Sequence, residues 1–253
     1  MIRNFSVFYV GNIELDDIGL SGQAANDRRY SNSQLIQSFE TAERAAIFMD
    51  KMGFYALWMA EHHFQPEGYE CLPNVLMLAV HLAHLTNNIR LGCGFNIAPM
   101  WHPLRLAEDY ATADILTGGR VVFGVGRGYH TREVETFGSP LLDQPANRDL
   151  FEEQVDIVFE AFEKESFSHQ GKNYSIPPSV PYRGYTLEEI TLVPRPLNRP
   201  VECWQPIQSA TPRGLDFMAK HGISGIIGGG SSEGGAIDKA VQGFREAYGR
   251  AGV

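Results

Sequence analysis

The sequence predicts an α/β fold built on a parallel sheet with helical crossovers. Short strand-like apolar runs alternate with longer runs of helical period along the 253 residues, giving six strand-then-helix units in succession. The breaks between runs carry boundary chemistry. Gly53, Gly118 and Gly222 follow helical patterns where a left-handed C-terminal residue belongs, and Pro103 and Pro212 stand at first helical positions.

In chain order, Phe5–Val10 reads as a strand and Ser33–Lys51 as a helix closed by Gly53. Tyr55–Ala60 and Pro73–Leu85 form the second unit, and Ile89–Ile97 and Pro103–Leu116 the third. Val121–Val125 pairs with the helix Asp149–Lys164, and Val201–Ile207 with Pro212–His221, which Thr211 is placed to cap. Ile223–Ile227 and Ile237–Tyr248 complete the sixth unit. Ser166–Pro200 is proline-rich and aperiodic, so it is expected to be an excursion over one end of the sheet, with a short hairpin around Ile190–Val193. We therefore expect one domain, residues 1–253. Periodicity alone allows either a (β/α)8 barrel, which takes about 250 residues or more, or an open doubly wound sheet.

Composition narrows the function. The formal charge is −9, with no block of Lys or Arg, so the chain lacks the footprint for nucleic acid or an anionic membrane. Hydrophobic residues make up 43%, enough for a sizeable core. Cys71, Cys93 and Cys203 stand far apart, without zinc spacing, which suits a reducing compartment. The N-terminal apolar run is too short for a spanning helix or a signal peptide. A cytoplasmic location is the expectation.

Three segments could carry chemistry. Glu61-His62-His63 ends the second strand, where α/β enzymes build their sites. Adjacent strand residues point to opposite faces, so His62 and His63 are poorly placed to share a metal, and we expect none; His62 is a candidate catalytic or ligand-contacting residue, the alternative being an ordinary loop-edge histidine. Gly124, Gly126 and Gly128 recur with period two, leaving one strand face bare; either a planar group or tight packing would explain this. Arg127 at the strand end suits phosphate. Gln208-Ser209-Ala210-Thr211-Pro212 enters a helix whose N-terminus could take an anion, or which Thr211 simply caps. Aromatic residues, among them Trp58, Phe64, Phe95, Trp101, Tyr129 and Trp204, crowd the same predicted rim. No G-x-S-x-G elbow supports a serine hydrolase.

Taken together, the strings Gly53-Phe54-Tyr55…Trp58…Glu61-His62-His63-Phe64, His102-Pro103…Glu108-Asp109…Asp114…Gly118-Gly119-Arg120, Gly124-Val125-Gly126-Arg127-Gly128 and Gln208-Ser209-Ala210 resemble the bacterial-luciferase-like flavin monooxygenases. The resemblance covers about Met52–Phe137 and Glu202–Gly229. It implies a TIM-type (β/α)8 barrel, here apparently without the last two βα units. It implies reduced FMN, molecular oxygen, a flavin hydroperoxide and a small apolar organic substrate. A separate flavin reductase and a homodimer are implied as well. By position, Arg127 and Ser209 would hold the flavin phosphate, with backbone near Gln208 and Thr211 assisting. Gly126 would lie against the ring, Gly94-Phe95 would form a non-proline cis peptide beside it, and His62 would be the acid–base group. Gln208 and Gly126 stand where luciferase itself has a carboxylate and a thiol, so its long-chain aldehyde chemistry is not implied. Two alternatives remain open: hydride transfer from a deazaflavin, and flavin binding without catalysis.

Overall fold

The computed structural model describes residues 4–15, 28–207, 210–227 and 235–252. Its centre is a parallel sheet of β1 (Ser6–Tyr9), β2 (Ala56–Met59), β3 (Arg90–Cys93), β4 (Asn96–Ile97), β5 (Val121–Gly126), β10 (Cys203–Pro206) and β11 (Ser224–Ile226). The spatial order is β1-β2-β3-β5-β10-β11, with β4 pairing β5 beyond the end of β3. Every pairing is parallel, as in Leu57 opposite Leu91 and Trp204 opposite Gly124. Strand order following chain order is the TIM-like pattern, in which each crossover lies on the same outer side. Among the described residues β1 pairs only with β2 and β11 only with β10.

The helices are α1 (Asn32–Leu35), α2 (Gln37–Met52), α3 (Val75–Leu85), α4 (Pro103–Leu116), α5 (Thr131–Val134), α6 (Gln144–Glu163), α7 (Pro212–Lys220) and α8 (Ala236–Ala251). The two-residue alternation of the strands sorts the core. Leu57, Met59, Leu91, Val121, Phe123 and Val125 face the helical layer, where Leu82, Leu106, Phe151 and Phe162 meet them. Ala56, Trp58 and Val122 face the other side, against Trp204 and Ile226.

Several expected boundaries shift for local reasons. The first helix breaks at Ile36 into α1, where the Gln34 side chain accepts from Ser31 N, and α2, which begins without a side-chain cap. Helix α3 begins at Val75 because the Asn74 side chain accepts from Met77 N, and α6 begins five residues earlier than expected because Asp143 accepts from Ala146 N. The third strand divides into β3 and β4 around a cis Gly94–Phe95 peptide. The excursion does carry hairpins, but not at Ile190–Val193. They pair β6 (His169–Gln170) with β7 (Ser175–Ile176) and β8 (Pro181–Tyr182) with β9 (Tyr185–Thr186), while Ile190 bridges Phe167. Asp114 pins the excursion by accepting from Leu197 N and Asn198 N.

Candidate active site

The strands deliver one cavity of about 260 Å³ at their C-terminal ends. Gly94, Phe95, Ile97 and Gly126 form one wall, and Arg127, Arg148, Gly214 and Leu215 form one end. His62, Glu70 and Tyr129 line it elsewhere, and Phe8 faces in from β1. Gly94, Phe95, Gly126, Arg127 and His62 thus meet in one place, as the sequence predicts. Thr211 does not line this cavity; its hydroxyl accepts from Gly214 N and caps α7. Gln208 and Ser209 lie outside the described residues.

The bare glycine face needs correcting. A Cβ on Gly124 would fall inside the carbonyl of Cys93, and one on Gly128 would meet Ile97 and Val134. The glycines therefore make room for the neighbouring β3–β4 kink, and that kink, with Gly126, presents the surface to the cavity. Gly92 likewise admits the Trp58 ring. Of the aromatics expected at the rim, Phe95 and Tyr129 line this cavity. Trp58 and Trp204 pack edge to face at 5.7 Å, and Trp101 donates to Glu61.

Arg127 reaches Asn147 Oδ1 at 3.2 Å and Gln144 Oε1 at 3.4 Å. Burial lowers its pKa, and the nearby Arg148 and Arg213 guanidinium groups lower it further. No sequence motif marks Arg148, which sits in the first turns of α6. Its guanidinium packs on the first turn of α7, 3.4 Å from where a Gly214 Cβ would stand. Arg127 and a nine-residue helix N-terminus thus point positive potential at one end of the cavity, where Arg148 also stands with Glu152 Oε1 3.3 Å from its Nη1. Gln205 Oε1, on a residue lining the same cavity, is buried without a hydrogen-bond partner among the described residues, so a bound donor would satisfy it. These features fit an elongated ligand with an anionic tail and a polar planar head.

His62 and His63 part company, as adjacent residues leaving a strand should. His63 bonds to the buried Glu61 at 3.0 Å. Glu61 also accepts from Ile97 N at 2.9 Å and from Trp101 Nε1, so it ties β2 to the kink; burial pushes its carboxyl pKa up. The 6% exposed His62 donates from Nδ1 to Glu133, whose oxygens lie at 3.1 and 3.2 Å. Burial opposes the Glu133 charge, but hydrogen bonds from His62 and Gln65 outweigh it and hold its pKa below the ordinary value. On the other side His62 Nε2 lies 3.2 Å from Glu70 Oε1. Glu133 and Glu70 come from loops and a four-residue helix without periodic signal, so nothing in the sequence marked them. His62, Glu70 and His130 bring polar atoms within 4.8 Å of one another, a spacing that proton-sharing groups and metal cages have in common.

The family described as luciferase-like monooxygenase matches residues 17–253. The chain belongs to that family. It is 36% identical over 135 residues to the uncharacterized protein y4vJ of Sinorhizobium fredii, covering 53% of this chain and 37% of that one. It is 28% identical over 176 residues to the oxygenase component of a flavin-dependent trigonelline monooxygenase of Acinetobacter baylyi, covering 69% and 44%. The chain spans between 37% and 44% of the length of the first curated relatives it matches. Monooxygenase RslO1 of Streptomyces bottropensis shares the fold with TM-score 0.77 at 22% identity, over 99% of this chain and 67% of that one. The FMN complex of the oxygenating constituent of 3,6-diketocamphane monooxygenase of Pseudomonas putida gives 0.74 at 19%, over 100% and 64%. An F420-dependent secondary alcohol dehydrogenase gives 0.65 at 18%, over 98% and 65%. These structural likenesses support the TIM-like α/β fold of the luciferase-like chain. None of its described helices is long and apolar enough to cross a membrane.

Proposed function

We propose that this chain carries the flavin site of a monooxygenase that uses reduced FMN and molecular oxygen on a small apolar organic substrate. The observation that carries the reading is the polarity of the cavity, with Arg127 and Arg148 at the α7 end and His62 on the same lining. Reduced flavin, when bound, supplies the electrons that let one oxygen atom enter the substrate. The protein's own tasks are then few. Arg127 and Arg148 would bind the phosphate as guanidinium forks, with Ser209 as a further ligand and backbone near Gln208 assisting. Gly94, Phe95 and Gly126 would seat the ring, and Phe8 and Tyr129 would keep water from it. His62 would hold or release a proton at Nε2, its Nδ1 being committed to Glu133. A separate reductase would supply the reduced flavin, and two copies of the chain would form the working dimer.

The deazaflavin alternative shares the demand for a phosphate anchor and a flat wall. Turnover separates the readings. Reduced FMN consumed with product formation only when oxygen is present supports the monooxygenase. Oxygen-independent reduction with a deazaflavin selects hydride transfer, and tight flavin binding without turnover selects a binding protein. His62→Ala should keep FMN affinity and slow turnover; a collapse of binding would make His62 structural.

A further inference from the structure

The acid–base group of the proposed site is buried, so its proton needs a route to water. Two carboxylates flank it, and they differ in their surroundings. Glu133 is 2% exposed and accepts from His62 Nδ1 and Gln65 Nε2, which fixes the ring. Glu70 faces outward. Its Oε1 lies 3.2 Å from His62 Nε2, and its Oε2 lies 3.4 Å from His130 Nε2. The His130 side chain is 39% exposed. Tyr129 donates to Glu70 Oε1 at 3.3 Å and stands 3.4 Å from His62 Nε2, offering a bridging oxygen beside the first step. Gln65 Nε2 donates to Glu70 Oε2 at 2.8 Å and orients the carboxylate. The His62 and His130 rings lie 5.3 Å apart between centroids, near perpendicular, with Glu70 spanning them. Contacts of this length commonly tighten when ligand is bound.

We propose that Glu70 and His130 form a proton relay that connects His62 to solvent. This rests on the acid–base reading of His62. A proton leaves His62 Nε2 and arrives on Glu70 Oε1, directly or through the Tyr129 hydroxyl. A half-turn of the carboxyl about Cγ–Cδ presents it to His130 Nε2, and His130 releases a proton from Nδ1 to water. Only N–H and O–H bonds form and break, and no electrons are exchanged. The reverse sequence recharges His62.

Two measurements test it, and one does not depend on turnover. On the flavin-free chain, solvent exchange of the His62 Nε2 proton, followed by NMR of 15N-histidine protein, should slow about tenfold or more in both Glu70→Gln and His130→Gln. In the enzyme supplied with reduced FMN, His130→Gln should lower kcat about tenfold, with KM and FMN affinity unchanged, and imidazole buffer should restore the rate. Unaltered exchange in both variants overturns the relay, as does a kcat loss that imidazole does not rescue. His130 is at the surface, so its variant decides the matter even if the Glu70 variant fails to fold. Slowed exchange in a protein that turns over no substrate keeps the relay and instead rejects the monooxygenase reading.

Discussion

Arg127→Ala and Arg148→Ala should distinguish phosphorylated from unphosphorylated flavin. Each guanidinium faces the α7 end of the cavity, and each would lose a charge-assisted hydrogen bond to phosphate. Such a bond is worth about 1.5–3 kcal/mol, so FMN affinity should fall about ten- to 150-fold for each variant. Riboflavin lacks the phosphate and should bind either variant within about threefold of the unaltered protein, since about 0.6 kcal/mol covers the loss of packing. The structure adds a second sign. Arg127 bonds Asn147 and Gln144 only at 3.2 and 3.4 Å, and like charge from Arg148 and Arg213 presses on it. Removing it should therefore leave the melting temperature of the flavin-free chain within about 4 °C, even while FMN affinity collapses. Titration by quenching of flavin fluorescence, in parallel with FMN and riboflavin, gives the affinities, and thermal unfolding gives the stability. Equal losses for the two flavins would refute the phosphate assignment of these arginines.

Gly124→Ala should unfold the chain or destabilise it by about 3 kcal/mol or more, because the added methyl collides with the Cys93 carbonyl; Gly249→Ala, in open space within α8, should raise stability by about 0.5–1 kcal/mol, both read by denaturant titration. Glu61→Gln places an amide among three donors, from Ile97, Trp101 and His63, and should cost about 1–3 kcal/mol of stability in the same assay. Because the pKa of Glu133 is lowered in the folded chain, its contribution is complete above the ordinary value of about 4.3 and is lost as pH falls through the native one. The urea midpoint should fall on that acid limb, and Glu133→Gln should flatten it. Chelation with EDTA should leave turnover unchanged; a loss that zinc restores would show that His62, Glu70 and His130 hold a metal.

The sequence by itself determined the order of strands and helices, because two-residue and helical periods reflect which face of each element is buried. It also determined that Gly126, Arg127 and His62 share one end of the sheet, since strand ends in a parallel sheet converge whatever the details of packing, while Gly94 and Phe95 were placed beside them by the family resemblance. Tertiary structure alone decided what fills the space beside the glycines. A missing side chain signals a close approach but not what approaches, and here, of the planar group and the tight packing that the glycines allow, it is the β3–β4 kink that packs there. It alone brought in Arg148, Gln205, Glu70 and Glu133 as well. Their contacts span long stretches of chain, such as the 71 residues from His62 to Glu133, and no local pattern encodes a distance set by packing between elements.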